Sequence, residues 1–228
     1  MGQITLPGNP PIAVVLRRSS RARRMSLRLS ALDGRATLTL PRHVPETEGR
    51  AFLSEKEAWL RRHLSARPDD VAIAPGALLP VDGIARRIVP GSARRVVLSD
   101  AEIAVPGGEA QWPARLQGWL KARARDRLVD ASDRYATALG RPYARITLRD
   151  TRSRWGSCST QGALMYSWRL VLAPPRVLDY VAAHEVAHLA EMNHSPAFWD
   201  VVTALYGDWS EPRDWLRREG GSLHRYRF

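Results

Sequence analysis

Apolar and polar residues alternate along much of the first hundred positions, which is the period of strands with one buried face. Met25-Ser26-Leu27-Arg28-Leu29 alternates, and Ala36-Thr37-Leu38-Thr39-Leu40 does so again after Asp33-Gly34, a dipeptide suited to a hairpin turn. Ile12-Ala13-Val14-Val15-Leu16 is apolar throughout, and Pro41 ends the run from Ala36 to Leu40. From about Glu46 to Leu64 the period lengthens to that of a helix, with Phe52, Leu53, Trp59, Leu60 and Leu64 along one stripe. Further short strands are expected over Leu78 to Val81, Arg86 to Val89, Arg94 to Leu98 and Glu102 to Val105. Pro80, Asp82-Gly83, Pro90-Gly91 and Pro106-Gly107-Gly108 punctuate them.

The Pro-Gly-Gly break marks the expected domain boundary, separating a β-rich portion with one helix, 1–108, from a second domain, 109–228. Beyond it the pattern turns helical from about Pro113 to Leu139, where Gly140-Arg141-Pro142 stops it. Ala144 to Leu148 and Leu164 to Leu172 read as strands. Pro174-Pro175 then opens a helix over Val177 to about Met192, Ser195-Pro196 caps and starts another, and a last one covers about Pro212 to Arg218. The pattern is that of an α+β protein, with no internal repeat.

At 228 residues, 44% hydrophobic and 25% charged, the chain has the composition of a globular protein with a full core. No apolar stretch approaches twenty residues, so no membrane span is expected. A single cysteine, Cys158, excludes an intrachain disulfide, and with no secretory signal at Met1 to Pro7 the expected location is the cytoplasm. The formal net charge is +12, nearly all of it arginine, since only Lys56 and Lys121 are lysine. Such a surplus favours polyanionic partners, nucleic acid or nucleotide. Arg17-Arg18-Ser19-Ser20-Arg21-Ala22-Arg23-Arg24 is the densest run, and a solvated face is its plainer reading.

The chemistry lies in His184-Glu185-Val186-Ala187-His188-Leu189-Ala190-Glu191-Met192-Asn193-His194. Residues four apart share one helix face, so His184 and His188 can bind one metal ion. Glu185, about 100° further round the helix, stays outside the metal's ligand set but within reach of a water on it. Tyr180 to Ala183 and Val186-Ala187 are apolar or small, so this helix is expected to be buried, and buried ionisable groups require a reason. His194 follows His188 by the interval of the third histidine in HExxHxxGxxH. That signature breaks its helix at a glycine; here the position is Glu191, so the break is expected near Asn193, ahead of Ser195-Pro196. Three neutral imidazoles leave one tetrahedral position open, the mark of a catalytic zinc. A downstream carboxylate, Asp200, Asp208 or Glu211, is the alternative third ligand.

Other residues have plainer readings. Cys158 reads as a small buried hydrophobe, His43 and His63 as surface or capping residues, and the tryptophans, among them Trp155, Trp168, Trp199, Trp209 and Trp215, as core.

On Arg152-Ser153-Arg154-Trp155-Gly156-Ser157-Cys158-Ser159, Ser167-Trp168-Arg169-Leu170, the His184 to His194 motif, Ser195-Pro196 and Phe198-Trp199, the second half resembles the YgjP-like family of metal-dependent hydrolases, related to SprT-type and other zincin metallopeptidases. Arg23 to Arg28 and Glu55 to Leu60 extend the likeness through most of the chain. The resemblance implies a zincin-like catalytic domain, a small sheet packed on the HExxH helix, and an edge strand able to take an extended peptide by strand addition. It places the WGSCS turn near the metal, which makes Arg154, Trp155, Gly156 and Ser157 candidates for substrate binding. The reading that follows is a zinc peptidase with Glu185 as general base on a peptide or protein substrate; Arg154, Tyr166 and His224 are candidate oxyanion donors. Its rivals are a metal-dependent nucleoside triphosphate pyrophosphatase, which arginine clusters suit but for which no glycine-rich phosphate loop is present, and a nucleic-acid-binding protein with a structural zinc.

Overall fold

The computed structural model describes residues 2–30, 34–65 and 69–228, and its packing divides the chain into two compact units, Met1–Asp69 and Asp70–Phe228. In the first unit β1 (Gly2–Leu6), β2 (Ile12–Ser19), β3 (Ser26–Leu29) and β4 (Ala36–Pro41) form a sheet in the order β1-β2-β4-β3. β2 runs antiparallel to β1 and parallel to β4, and β3 runs antiparallel to β4 with Leu29 opposite Ala36, as the alternation implies. Asp33 of the expected hairpin turn lies outside the described residues. One sheet face brings Val14, Leu16, Ala36, Leu38 and Leu40 into a core shared with Leu53 and Leu60 of α1 (Glu46–Ser65). Each such leucine contributes about 1.5–3 kcal/mol by leaving water. Gly49 permits the close approach: a Cβ there would meet Leu40 Cδ1 at 3.0 Å. The arginines of the 17–24 run are exposed, with Arg18 donating to the carbonyl of Val44 at 2.9 Å. His43 is exposed, and His63 Nδ1 lies 2.8 Å from the Trp59 carbonyl within α1.

The second unit begins with β5 (Val71–Ala72), β6 (Leu78–Val81), β7 (Ile84–Gly91), β8 (Val97–Leu98) and β9 (Glu102–Pro106). The last four make a sheet ordered β6-β7-β9-β8. There follow α2 (Trp112–Leu139), β10 (Arg145–Arg149), β11 (Gly156–Cys158), β12 (Ala163–Ser167), α3 (Pro175–Ala187), α4 (Pro196–Tyr206), α5 (Ser210–Glu219) and β13 (Tyr226–Arg227), which pairs with β5. β10, β12 and β11 form a second sheet in that order, β10 parallel and β11 antiparallel to β12. The fold is mixed α and β, and no helix among the described residues is long and apolar enough to cross a membrane.

Three sequence expectations are corrected. Pro106-Gly107-Gly108 is a turn inside the second unit, because Val105 before it and Trp112 after it are buried in one core with Leu79, Val81, Ile88 and the α3 residues. The division falls after Asp69 instead. Leu164 to Leu172 is a strand only to Ser167; residues 168–172 form a 3₁₀ turn, every residue of it buried. A fully buried apolar run has no periodicity by which to tell the two. Arg94 to Leu98 shortens to β8. α2 agrees with its stripe: Leu116, Leu120, Ala124, Leu128 and Ala131 are buried, and Gly140 ends it at φ 70°, the left-handed cap a glycine supplies.

Candidate active site

Pro175 starts α3, where its missing N–H is no loss. Val177, Leu178, Val181, Ala182 and Val186 bury one face of the helix, and this burial carries His184, Glu185 and His188 into the interior. α3 ends at Ala187, several residues before the expected Met192. Beyond it the ladder tightens: Leu189 N–H donates to the Val186 carbonyl at 2.9 Å and Ala190 N–H to that of Ala187 at 3.0 Å. Arg141 Nη1 holds the Leu189 carbonyl at 2.8 Å, and His188 Nδ1 lies 2.9 Å from that of Glu191. The turn at 188–191 therefore does what a glycine does in the longer signature, and bonds to carbonyls hold it. α4 is then capped by Ser195, whose Oγ accepts from Phe198 N at 3.4 Å.

This local path brings His194 back to His184, with Nε2 to Nε2 at 3.1 Å. One ring nitrogen from each of His184, His188 and His194 lies within 4.8 Å of the others. Four ligands about 2.0–2.1 Å from a tetrahedral zinc stand about 3.3 Å apart, so the trio has the dimensions of a metal site. The donor chemistry agrees. Two neutral nitrogens at 3.1 Å repel through their lone pairs unless a proton or a cation lies between them. With the Nδ1 proton of His188 given to the Glu191 carbonyl, its Nε2 lone pair is free to ligate. Burial, with the neighbouring His188 and His194 adding to it, pushes His184 down to about 3, and burial lowers His188; both imidazoles are neutral at pH 7, the form able to ligate a metal. His184 Nδ1 is buried without a hydrogen-bond partner among the described residues, which give this ring no outer contact like the one that orients His188. Phe198 packs against all three imidazoles at centroid distances of 4.9, 4.5 and 4.8 Å. Reading the sequence for ligands alone passes over Phe198, although the Ser195-Pro196 start that aims it is visible.

Glu185 is 5% exposed. Burial pushes its carboxyl up to about 8, and the Arg154 guanidinium pulls the other way. The backbone of Gly156 lies directly against it: a Cβ at 156 would sit 2.5 Å from Oε1, 2.6 Å from Cγ and 2.7 Å from Cδ. The carboxylate thus occupies the space where any other residue's side chain would begin. Gly156 belongs to β11, whose partner among the described residues is β12, with Gly156 opposite Tyr166 and Cys158 opposite Leu164. The outer edge of β11 borders a cleft of about 430 Å³ that contains Glu185 and the three histidines.

Of the other sequence candidates, Arg154, Gly156 and Ser157 line this cleft. Trp155 turns away, its ring 5.2 Å from that of His224. His224 is buried beside Trp155, and burial lowers its pKa to about 4. Tyr166 is fully buried with its hydroxyl 3.0 Å from Ser132 Oγ. Neither Tyr166 nor His224 lines the cleft, which leaves Arg154 of the three oxyanion candidates. Cys158 lines the cleft but stands outside the histidine group, and burial pushes its thiol up to about 11. The alternative carboxylates also stand outside the group: Asp208 accepts from Ser210 N, Glu211 pairs with Arg176, and Asp200 is exposed on α4.

The YgjP-like metallopeptidase domain matches residues 23–219. Among solved structures, the metallopeptidase zymogen of Pyrococcus abyssi abylysin superposes with a TM-score of 0.37 at 19% identity, covering 44% of this chain and 99% of that chain. No curated protein matches. With the family's domain spanning all but the ends of the sequence, the chain belongs to the YgjP-like metallopeptidases, a family of metal-dependent peptidases.

Proposed function

We propose that the protein is a zinc-dependent peptidase of zincin type in which His184, His188 and His194 hold the metal and Glu185 is the general base. The observation that carries this reading is the meeting of a buried carboxylate, seated on Gly156, with three mutually close imidazoles in one cleft beside a strand edge. Zinc in the trio would supply Lewis-acid polarisation of the scissile carbonyl and acidify the attacking water. Glu185 takes the proton from that water on a carboxylate oxygen and passes it to the leaving amine. Gly156 keeps the space for this carboxylate, and Arg154 stands at the cleft wall. The edge of β11 that pairs with no strand among the described residues offers backbone groups to an extended peptide, which would align the scissile bond by adding a strand. Nucleotide hydrolysis fits less well, because Glu185 is the sole carboxylate among the described residues lining the cleft, and phosphoanhydride transfer needs carboxylates to hold magnesium.

Glu185→Gln tests the reading. It preserves shape, so zinc content and melting temperature should match wild type while cleavage of a flexible protein substrate falls at least about a hundredfold. Robust hydrolysis of nucleoside triphosphates that Glu185→Gln abolishes, with no peptide cut from a diverse library, would replace this reading with the nucleotide one.

A further inference from the structure

The sheet that carries the cleft has an outer face which the mechanism does not use. Along β10 the buried Ile146 faces the core, while Arg145, Thr147 and Arg149 alternate with it toward the other side. On β12, Leu164 and Tyr166 are fully buried and Ala163 and Met165 are only half-buried. A groove of about 590 Å³ lies over this outer face, with Arg145, Arg149 and Arg154 on its walls and Thr147, Thr151 and Met165 along it. It joins the catalytic cleft, because Ser153, Arg154, Ser157 and Cys158 line both.

The groove is of one sign. No aspartate or glutamate is among its described lining residues, and Arg145 and Arg149 are exposed without a carboxylate partner among the described residues. The nearest acid in sequence, Asp150, is already committed to Arg169, at 2.7 and 3.1 Å. Beyond Arg149 a neighbouring hollow adds Lys121 and Arg125, with Trp168 and the Arg169-paired Asp150 also in its lining. Uncompensated guanidiniums in a concave surface attract a polyanion and hold its carboxylates or phosphates in pairs of hydrogen bonds. Arg149 lies four positions along the strand from Arg145, about 13 Å, which is the length of four extended peptide residues. Single-stranded nucleic acid is held by a basic groove along its backbone together with aromatic rings on which its bases stack, and no aromatic residue is among the groove's described lining.

We infer that the outer face of the β10-β12-β11 sheet is a substrate exosite for acidic polypeptide: a run of glutamate or aspartate on the chain to be cut lies over Arg145 and Arg149 and leads it past Arg154 to the cleft. The inference rests on the peptidase reading for its purpose but not for its test, which measures binding without turnover. The protein is zinc-loaded Glu185→Gln. The probes are a fluorescein-labelled dodecapeptide with six glutamates alternating with alanines, its glutamine counterpart, and labelled oligodeoxythymidine of twelve nucleotides, at low ionic strength because exposed charges are screened within about 8–10 Å in ordinary buffer. The glutamate peptide should bind at least about tenfold more tightly than the glutamine peptide. Arg145→Gln with Arg149→Gln should bring that ratio below about twofold without changing zinc content or melting temperature, both side chains being exposed. A ratio that survives the double substitution, or no preference in the starting protein, overturns the exosite. Oligodeoxythymidine bound at least as tightly as the glutamate peptide, and released by the same substitutions, assigns the face to nucleic acid instead. Arginine-dependent binding of the acidic peptide in a protein whose active form cuts no peptide would uphold the exosite and remove the peptidase reading. Peptide cleavage with no acidic preference would do the reverse.

Discussion

Gly156→Ala separates the roles of fold and site more sharply than removing a catalytic group. The new methyl would lie 2.5–2.7 Å from three atoms of Glu185, whereas non-bonded carbons rest at about 3.5–4.0 Å. Since Gly156 sits in a strand paired to β12 and the obstruction is the end of a side chain, the carboxylate must give way, by about 1 Å. Misplacing a reacting group by that distance costs about a hundredfold in rate, or about 2.7 kcal/mol of transition-state stabilisation. The stability cost is that of a modest overpacking, about 1–3 kcal/mol, or a few degrees in melting temperature for a chain of this size. Zinc should be unaffected, because the methyl approaches Glu185 and none of the three histidines is among its nearest neighbours. The assay compares kcat/KM on a flexible peptide, zinc per chain and melting temperature. Gly118→Ala serves as control: that glycine lies within α2 with nothing within 4 Å of the added methyl, so it should keep full activity and gain about 0.5–1 kcal/mol. If Gly156→Ala keeps more than half of wild-type kcat/KM, the carboxylate is not held where the chemistry needs it, and the assignment of Glu185 falls with it.

Two further outcomes follow from the same structure. Zinc at a hundred times its dissociation constant should stabilise the wild-type protein by about 2.7 kcal/mol; His188→Ala should lose both the metal and this gain, and zinc retained at one per chain in that variant would exclude His188 as a ligand. Asp150, which burial alone would raise but which the hydrogen bonds and charge of Arg169 hold below the usual carboxylate range, contributes stability at neutral pH that disappears as pH falls below about 4 and through its lowered value. Asp150→Asn should therefore lower the melting temperature at pH 7, by the equivalent of about 1–3 kcal/mol for the buried Arg169 donors it leaves unpaired, and by less near pH 3; an equal loss at both pH values would contradict this.

The histidine trio and Glu185 were legible in the sequence because they depend on spacing along a single helix and the turn after it. The turn itself was not. Nothing in Leu189-Ala190-Glu191 breaks a helix by propensity, and α3 ends early because bonds from a distant and a neighbouring residue, Arg141 to Leu189 and His188 to Glu191, compensate carbonyls that the ladder no longer uses. β11 was equally hidden. Gly156-Ser157-Cys158 has neither alternation nor strand propensity, and it is extended because it pairs with β12. The contact of Gly156 with Glu185 spans 29 positions and leaves no local signature. The alternating strands of the first unit and the long stripe of α2 were readable for the opposite reason, their patterns being set by one buried face each. The division after Asp69 was not, since the Pro-Gly-Gly turn is the stronger break in composition although the core runs straight across it.

The early end of α3 has a consequence for how the protein is handled. All three imidazoles lie within eleven residues, so the entropy of bringing them together is that of a short loop. The carboxylate's seat, by contrast, requires β11 docked on β12 and against α3, a tertiary arrangement. A preparation with loosened packing could thus carry a full complement of zinc and no active carboxylate. On the proposed function, metal content would measure how many chains have formed the α3–α4 corner, and the fraction of working enzyme would have to be counted by active-site titration.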